Sequence, residues 1–383
     1  MSITLEKIMK QSGILYNMKL EAGKKGIKNV VQWVHIIEDE EVCSFLHGNE
    51  LVFSTGIACS GREWLMSIVK KLNEMKVSGL VINIGPYIKE IPKEVIKYCN
   101  DNDFPLYSVP WETRLVDITR DFCKRIVQSD QVEQDIVSVF KDIIFNNEDY
   151  SKYVYLLERR CFHAKGNYTF VIIYNVDENE DASTDSNLKF YIEKIANRIS
   201  DLIVLFTYDK YRVVLLSDYT KEDIKNFISE LDRQYLSSKP DKFIVGVSST
   251  DVGIKSLNKG FNRSMETIKL AIRKNQKVMY YDDLGIYQLL VEESDYSVLR
   301  QFYNAILKPI ENYDAETGNN YAETLKFYLE NNGNVQVVAN KMFVHRNTVN
   351  YQINKIRKIT GLDLGELEVK LKFLLCYYIK DII

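Results

Sequence analysis

The sequence predicts a multidomain chain of α/β and all-α parts: an N-terminal α/β domain, an α+β domain in the middle and a small helical domain at the end. Three observations carry this. Helix and strand signals alternate over residues 1–112, as in a layered α/β domain. They alternate again over residues 168–283. Residues 333–361 then read as two short amphipathic helices joined by a tight turn.

In chain order, the first domain opens on an amphipathic segment carrying Leu5, Ile8 and Met9. Strand signals follow at 30–37 and 50–54, a helix at 62–75, a buried strand at 79–84, a helix at 92–100 and a short strand at 106–109. A long amphipathic helix is predicted over 113–145, where Ile118, Phe122, Ile126, Val132, Ile136, Phe140 and Ile143 form an imperfect stripe. The stripe suits an intrachain core and a dimer seam equally. The middle region shows strands at 168–176, 202–207, 212–216, 242–248 and 278–281, and helices at 187–200, 222–236 and 256–274. A polar stretch at 311–320, with Asp314, Gly318 and Asn319, has the composition of a linker. The expected parts are therefore 1–125, a helical connector at 126–160, a middle domain at 161–284, a helical linker at 285–320 and a terminal domain at 321–383.

In the terminal domain Asn334 is a good N-cap for a helix whose apolar face holds Val335, Val338, Ala339 and Met342. The second helix starts at about His345, aligns Val349, Ile353, Ile356 and Ile359, and stops at Gly361. Ala339 sits where the two helices approach closely, and Val344 and Val349 are expected in the core. Phe343 stands where such turns carry glycine, so the turn must avoid positive φ or bear its cost. From Lys341 to Thr360 there are five basic residues (Lys341, Arg346, Lys355, Arg357, Lys358) and no acid, although the chain carries a net charge of -3. His345, Arg346, Asn347, Thr348, Asn350 and Tyr351 occupy the start and first two turns of the second helix, the part of a recognition helix that reaches base edges. Arg pairs with guanine and Asn with adenine, while Lys355, Arg357 and Lys358 are placed to neutralise phosphates. The expected partner is double-stranded operator DNA. A solvated basic face on a helical bundle is the competing reading.

Composition narrows the class. A chain of 383 residues, 46% hydrophobic and 27% charged, is a folded globular protein of about two to three domains. Its longest apolar runs, 170–174 and 373–379, fall far short of the roughly 18 residues that span a bilayer. The N-terminal segment lacks a signal-peptide core, so a cytoplasmic protein without membrane attachment is expected. Cysteines 43, 59, 99, 123, 161 and 376 are scattered without CxxC pairs, as reduced thiols are. A pI near 6.0 requires any nucleic-acid binding to be local.

Two further constellations invite chemistry. His35, Cys43 and His47 supply metal-ligand atoms, with Cys43 and His47 expected four apart on one helix face, but no fourth ligand is evident and no metal or cofactor is expected. The segment HGNELVFSTG at 47–56 places Glu50 at the start of an apolar strand and Ser54, Thr55 and Gly56 at its end, while His35 and Glu38 end the preceding strand. Strand ends in α/β domains form small-molecule crevices, and hydroxyls with backbone N–H groups hold carbonyls or carboxylates. These six residues are the expected effector-binding set; the plainer reading is that they satisfy turn backbone groups.

Several stretches resemble the purine catabolism regulator (PucR) family of bacterial transcription factors. In the terminal domain these are TLKFYLENNGN at 324–334, VHRNTVNYQINKI at 344–356 and TGLDL at 360–364. In the first domain they are GIKNVVQWVHIIE at 26–38, HGNELVFSTG at 47–56, IPKEVIKYC at 91–99 and FPLYSVPWETRLVDITR at 104–120. The resemblance implies a sensor domain for a small-molecule effector such as a purine-breakdown intermediate, allantoin or a related ureide. It also implies a degenerate GGDEF-like, cyclase-like middle domain and a DNA-binding helix-turn-helix. Half-sites one helical turn apart demand a two-fold reader, hence a homodimer. An active cyclase of the GGDEF type needs a glycine-rich hairpin and paired metal-binding acids. The corresponding hairpin here reads Tyr208, Asp209, Lys210, Tyr211, without glycine and with one carboxylate. No catalytic residues are therefore expected; signalling through a cyclic dinucleotide at the middle domain is the alternative.

Overall fold

The computed structural model describes residues 3–58, 62–146, 150–176, 182–200, 202–238, 243–292 and 296–383. It divides into two compact units, one of Met1–Phe243 with Thr250–Phe261 and one of Ile244–Ser249 with Asn262–Ile383. Cys59 lies outside the described residues.

The first unit begins with α1 (Leu5–Leu15), whose N-cap Thr4 accepts a hydrogen bond from the Lys7 N–H at 3.4 Å. Then come β1 (Lys19–Ala22), β2 (Trp33–Ile36), β3 (Glu50–Ser54), α2 (Arg62–Glu74), β4 (Gly79–Ile84), α3 (Lys93–Asp101) and β5 (Leu106–Pro110). The sheet order is β1-β5-β4-β3-β2; β2 to β5 are mutually parallel and β1 is antiparallel to β5. Every residue of β3 is buried, which is why its sequence reads as an unbroken apolar run rather than an alternation. Its side chains nonetheless part to two faces. Leu51 and Phe53 join Val81, Tyr107 and the Leu5 and Ile8 of α1, while Val52 joins Leu80, Ile82 and the apolar stripes of α2 and α3.

Helix α4 (Leu115–Lys141) continues into a π-helical turn, Asp142–Asn146. Its first half buries Ile118, Phe122 and Ile126 against the sheet, with Phe122 edge-on to Phe53 at 5.9 Å. Its second half buries Ile136, Val139 and Phe140, and Phe140 meets Phe162 and Tyr168 at 5.1 and 6.2 Å. The stripe is thus largely intrachain core, and the segment expected as a connector helps build it.

Next come α5 (Ser151–Glu158), β6 (Asn167–Asn175), α6 (Ala182–Ile199), β7 (Ile203–Tyr208), β8 (Tyr211–Ser217), α7 (Lys221–Gln234) and β9 (Phe243–Val247). From β6 to β9 this is a β-α-β-β-α-β succession. β8 pairs antiparallel with both β6 and β7, and β10 (Asp251–Val252) pairs with β6. The β7–β8 hairpin turns on Asp209, at φ 50°, and Lys210. Thr220 and Asp223 form a reciprocal capping box at the start of α7.

Helix α8 (Leu257–Arg273) precedes β11 (Val278–Tyr280). In the second unit, β9 pairs in parallel with β11. A Cβ at Gly246 would lie 2.8 Å from Ile268, so glycine there lets α8 lie close on the strand. The rest is helical: α9 (Tyr287–Val291), α10 (Ser297–Ile306), α11 (Lys308–Thr317), α12 (Tyr321–Glu330), α13 (Val335–Lys341), α14 (Arg346–Thr360) and α15 (Leu367–Lys380). The polar stretch at 311–320 is mostly helix α11, ended by Gly318 at φ 67°. Its polar residues act as caps and ties: the Asp314 carboxylate accepts the Tyr321 and Ala322 N–H groups, both at 2.8 Å, at the start of α12. Glu311 accepts from Lys380 at 2.6 Å and from the Tyr303 hydroxyl, joining α10, α11 and α15. Among the described residues no helix is long and apolar enough to cross a membrane.

A candidate nucleic-acid interface and a candidate ligand site

Asn334 caps α13, its Oδ1 accepting from the Gln336 and Val337 N–H groups at 3.1 and 3.2 Å. Val338 and Ala339 are buried against α14, where Val349, Ile353 and Ile356 face inward. The turn between the helices bears the cost that its sequence raised. Phe343 adopts φ 54°, while the Val344 N–H returns to the Ala339 carbonyl at 3.0 Å. The Phe343 side chain is 96% exposed, and Val344, expected in the core, stays at the rim, 37% exposed. His345 is the N-cap of α14, its Nδ1 accepting the Asn347 N–H at 3.3 Å. That bond needs the Nδ1 lone pair and leaves Nε2 to carry the proton. Gly361 ends the helix at φ 70°.

Packing Val349, Ile353 and Ile356 inward turns the polar residues outward. Arg346, Asn347, Thr348, Asn350, Tyr351 and Lys358 are all exposed. The other two cations are held within the chain. Lys355 places its ammonium 4.9 Å from the centroid of the Tyr313 ring on α11, and a hydrogen bond with that tyrosine raises its pKa. Arg357 pairs with Asp363 at 3.2 Å just past the helix end. These partners lie outside the helix, so its own sequence gave no sign of them. Lys341 likewise donates to Asn331 at 2.9 Å.

In the first domain four of the six ligand-site residues come together around one carboxylate. Glu38 Oε1 accepts from the Thr55 N–H and the Thr55 hydroxyl, both at 2.8 Å. Its Oε2 accepts from the Ser54 hydroxyl at 3.1 Å, the Gly56 N–H at 3.0 Å and the Ile57 N–H at 3.3 Å. Gly56 has φ 74°, and a Cβ there would lie 2.4 Å from Ile88. The donors expected to face a ligand thus converge on the chain's own carboxylate. His35 is exposed on β2, its Nδ1 3.0 Å from the Ile36 carbonyl. Glu50 starts β3 and so lies at the other end of the strand from Thr55, roughly 16 Å away at the usual rise. It is buried; Oε1 accepts the His47 N–H at 2.8 Å, and Oε2 has no partner among the described residues.

Three residues not foreseen from the sequence stand at the same sheet edge as Glu38. Tyr87 and Trp111, which follow β4 and β5, meet edge to face at 5.7 Å and are 46% and 41% exposed. Asn83 near the end of β4 is 2% exposed; its Nδ2 donates to the Pro110 carbonyl at 3.1 Å, and its Oδ1 has no partner among the described residues. The histidine and cysteine grouping does not form as expected. Residues Glu40–Phe45 make a 3-10 turn that stops short of His47, and Cys43 is buried in the core, where burial raises its thiol pKa. No group of three or more His, Cys, Asp or Glu among the described residues is arranged to hold a metal.

Comparison with known proteins accounts for both ends of the chain. Residues 7–126 match the purine catabolism regulatory protein-like family, and residues 321–379 match the PucR C-terminal helix-turn-helix domain. The chain is 25% identical over 201 residues to the proline-responsive transcriptional activator PutR of Bacillus subtilis (strain 168), covering 50% of this chain and 49% of that protein. It is 23% identical over 188 residues to the DNA-binding transcriptional activator AdeR of the same organism, covering 47% and 44%. The purine catabolism regulatory protein of that organism is 30% identical over 123 residues, covering 31% of this chain and 23% of that protein. The chain thus spans about half the length of the curated relatives it matches, or less. The chain thus carries a PucR-family N-terminal domain and, around α13 and α14, a PucR C-terminal helix-turn-helix domain, and the relatives it matches are transcriptional regulators of that type.

Proposed function

We propose that the protein is a cytoplasmic, homodimeric transcriptional regulator that binds operator DNA through α14 and whose binding is modulated by a small-molecule effector. The observation that carries this reading is the division of α14: Val349, Ile353 and Ile356 are buried, while Arg346, Asn347, Thr348, Asn350 and Tyr351 are exposed over its first two turns. Arg346 and the two asparagines supply base-reading groups, and Lys358 supplies a phosphate contact. Lys355 and Arg357 act chiefly inside the protein, fixing the helix against Tyr313 and Asp363. The names of PutR, AdeR and the purine catabolism regulatory protein support a regulator of gene expression. They do not share one metabolite, so a purine-derived ureide is the first effector to try rather than one the family dictates.

The proposed effector site is the sheet edge around Glu38, Ser54, Thr55 and Gly56. There Glu38 fixes the loop after β3 through its own hydrogen bonds, and the aromatic pair Tyr87 and Trp111 stands on the same edge as a surface for an effector to lie against. Effector binding shifts the regulator only by its differential affinity for two arrangements of the chain. The middle region is read as a packing and relay module without catalysis, because the Asp209–Lys210 turn offers neither glycines to cradle phosphate nor paired acids for metal. Selection of bound fragments from random DNA, with and without a cellular metabolite extract, tests the whole reading. It expects a recurring two-fold site whose occupancy changes with the extract; recovery of no preferred sequence would contradict it.

A further inference from the structure

At the opposite end of the first sheet from Glu38 lies a cleft of about 480 Å³ that the regulator reading does not use. Five cations line it, Lys25, Lys28, Lys76, Lys194 and Arg198, against a single lining acid, Asp103. For a chain whose net charge is -3 this is a strong local excess of positive charge. It is assembled from segments far apart in sequence: the turn after β1, the end of α2, and α6.

The positive charge is only weakly compensated from within. Lys25 stands 3.8 Å from Asp103, at the outer limit of an ion pair, and its side chain is 85% exposed. Lys28 reaches the Asn197 carbonyl at 3.5 Å, and Lys76 sits 4.8 Å from the centroid of the Tyr191 ring. Glu230 is held below its ordinary range chiefly by hydrogen bonds from Arg233, at 2.7 Å, and Gln234, with the charge of Arg198 a lesser influence, so it is already engaged elsewhere. Burial first, then the charges of Arg198 and Lys76, push the Lys194 ammonium below its ordinary value, against an opposing pull from Asp103. Crowded, partly desolvated cations of this kind are stabilised by an anion that enters among them.

A second, independent feature belongs to the same cleft. Asn49, 6% exposed and at φ 66°, lines it with a side-chain Oδ1 that has no hydrogen-bond partner among the described residues. A buried acceptor without a donor is costly to leave unmatched. A ligand hydroxyl would supply the donor.

We propose that this cleft binds a small phosphorylated metabolite bearing a free hydroxyl, its phosphate held by Lys194, Arg198 and Lys76 and its hydroxyl by Asn49. The concavity favours a small molecule over a nucleic-acid backbone, which would run along a convex or open groove. The site is separate from the Glu38 edge and from α14, so it stands or falls independently of the regulator reading.

Calorimetric titration of ribose 5-phosphate, and separately of pyrophosphate, into the full-length protein tests this at low and at high salt. The expected result is saturable binding that weakens as salt screens the cluster. Lys194→Gln and Arg198→Gln should each weaken it about tenfold, since each removes a charge-assisted hydrogen bond. Lys124→Ala, an exposed change on α4, should leave it unaltered. Thermal melts of the same proteins show that the variants are folded and should show a smaller ligand-induced stabilisation in Lys194→Gln and Arg198→Gln than in the wild type and Lys124→Ala. Absence of binding by both compounds overturns the proposal, as does binding indifferent to Lys194→Gln and Arg198→Gln. Should a random DNA duplex, and neither small molecule, bind in a manner sensitive to those two changes, the cleft is a nucleic-acid contact and the proposal is wrong.

Discussion

Glu38 and Thr55 are joined by two hydrogen bonds to one oxygen, the Thr55 N–H and hydroxyl both lying 2.8 Å from Glu38 Oε1. The contact ties the segment after β2 to the segment after β3, and the other Glu38 oxygen fastens Ser54, Gly56 and Ile57 to the same point. One carboxylate therefore sets the shape of the sheet edge proposed to meet the effector.

Glu38→Ala should destabilise the first domain by about 2 kcal/mol, because several donors lose a charged acceptor at once. Denaturant unfolding followed by intrinsic fluorescence measures it. Thr55→Val removes only the hydroxyl contribution, about 1 kcal/mol, and should reduce the effector's influence on DNA affinity while leaving basal binding intact. A Glu38→Ala protein as stable as the wild type would show that the loop is held by other means.

Phe343→Gly should stabilise the helix-turn-helix by about 1 kcal/mol. The left-handed backbone at φ 54° is strained for phenylalanine and free for glycine, and the side chain is 96% exposed, so little packing is lost. Chemical denaturation of the full-length protein, read by hydrogen exchange in α13 and α14, checks this. Loss of protection there would mean that Phe343 packs on something.

The Glu311 site gives a pH dependence. Burial opposes the charge on Glu311, but hydrogen bonds from Lys380 and Tyr303, with the charges of Lys380 and Lys308, outweigh it and hold the carboxyl below its ordinary range. A folded pKa below the unfolded value near ~4.3 means a contribution complete above that value and lost as pH falls through the folded one. Glu311→Gln should therefore cost about 1 kcal/mol at neutral pH, discounted for the exposure of Lys380, and flatten the acid limb of stability. Unfolding curves from neutral to acid pH compare the two proteins; parallel acid limbs would refute the assignment.

What the sequence disclosed follows from how local each signal is. Strand β3 was legible because it is buried on both faces and reads as a continuous apolar run, and α14 because its cap, apolar spacing and Gly361 stop all lie within its own length. Strand β1 was not, since KLEA carries little apolar pattern and is held by pairing with β5, 87 residues away in the Lys19 to Glu21 segment's contact with Ser108. The ligand-site residues Glu38, Ser54, Thr55 and Gly56 were each marked, yet their sequence could not say that the first would be the acceptor for the others. Glu50 shares their strand but not their end of it. Partners such as Tyr313 for Lys355, and the cations gathered in the basic cleft, come from separate segments and only folding brings them together.

The central claim is that the exposed face of α14 reads DNA, and base-resolved binding by two variants tests it most directly. On the operator recovered by selection, Arg346→Ala should cost about 1–3 kcal/mol and relax preference at one base position, as loss of a bidentate base contact would. Lys358→Ala should weaken all sequences alike and reduce the salt dependence of binding. If both variants are folded and bind the operator with wild-type affinity, sequence preference and salt dependence, α14 is not the DNA-reading element.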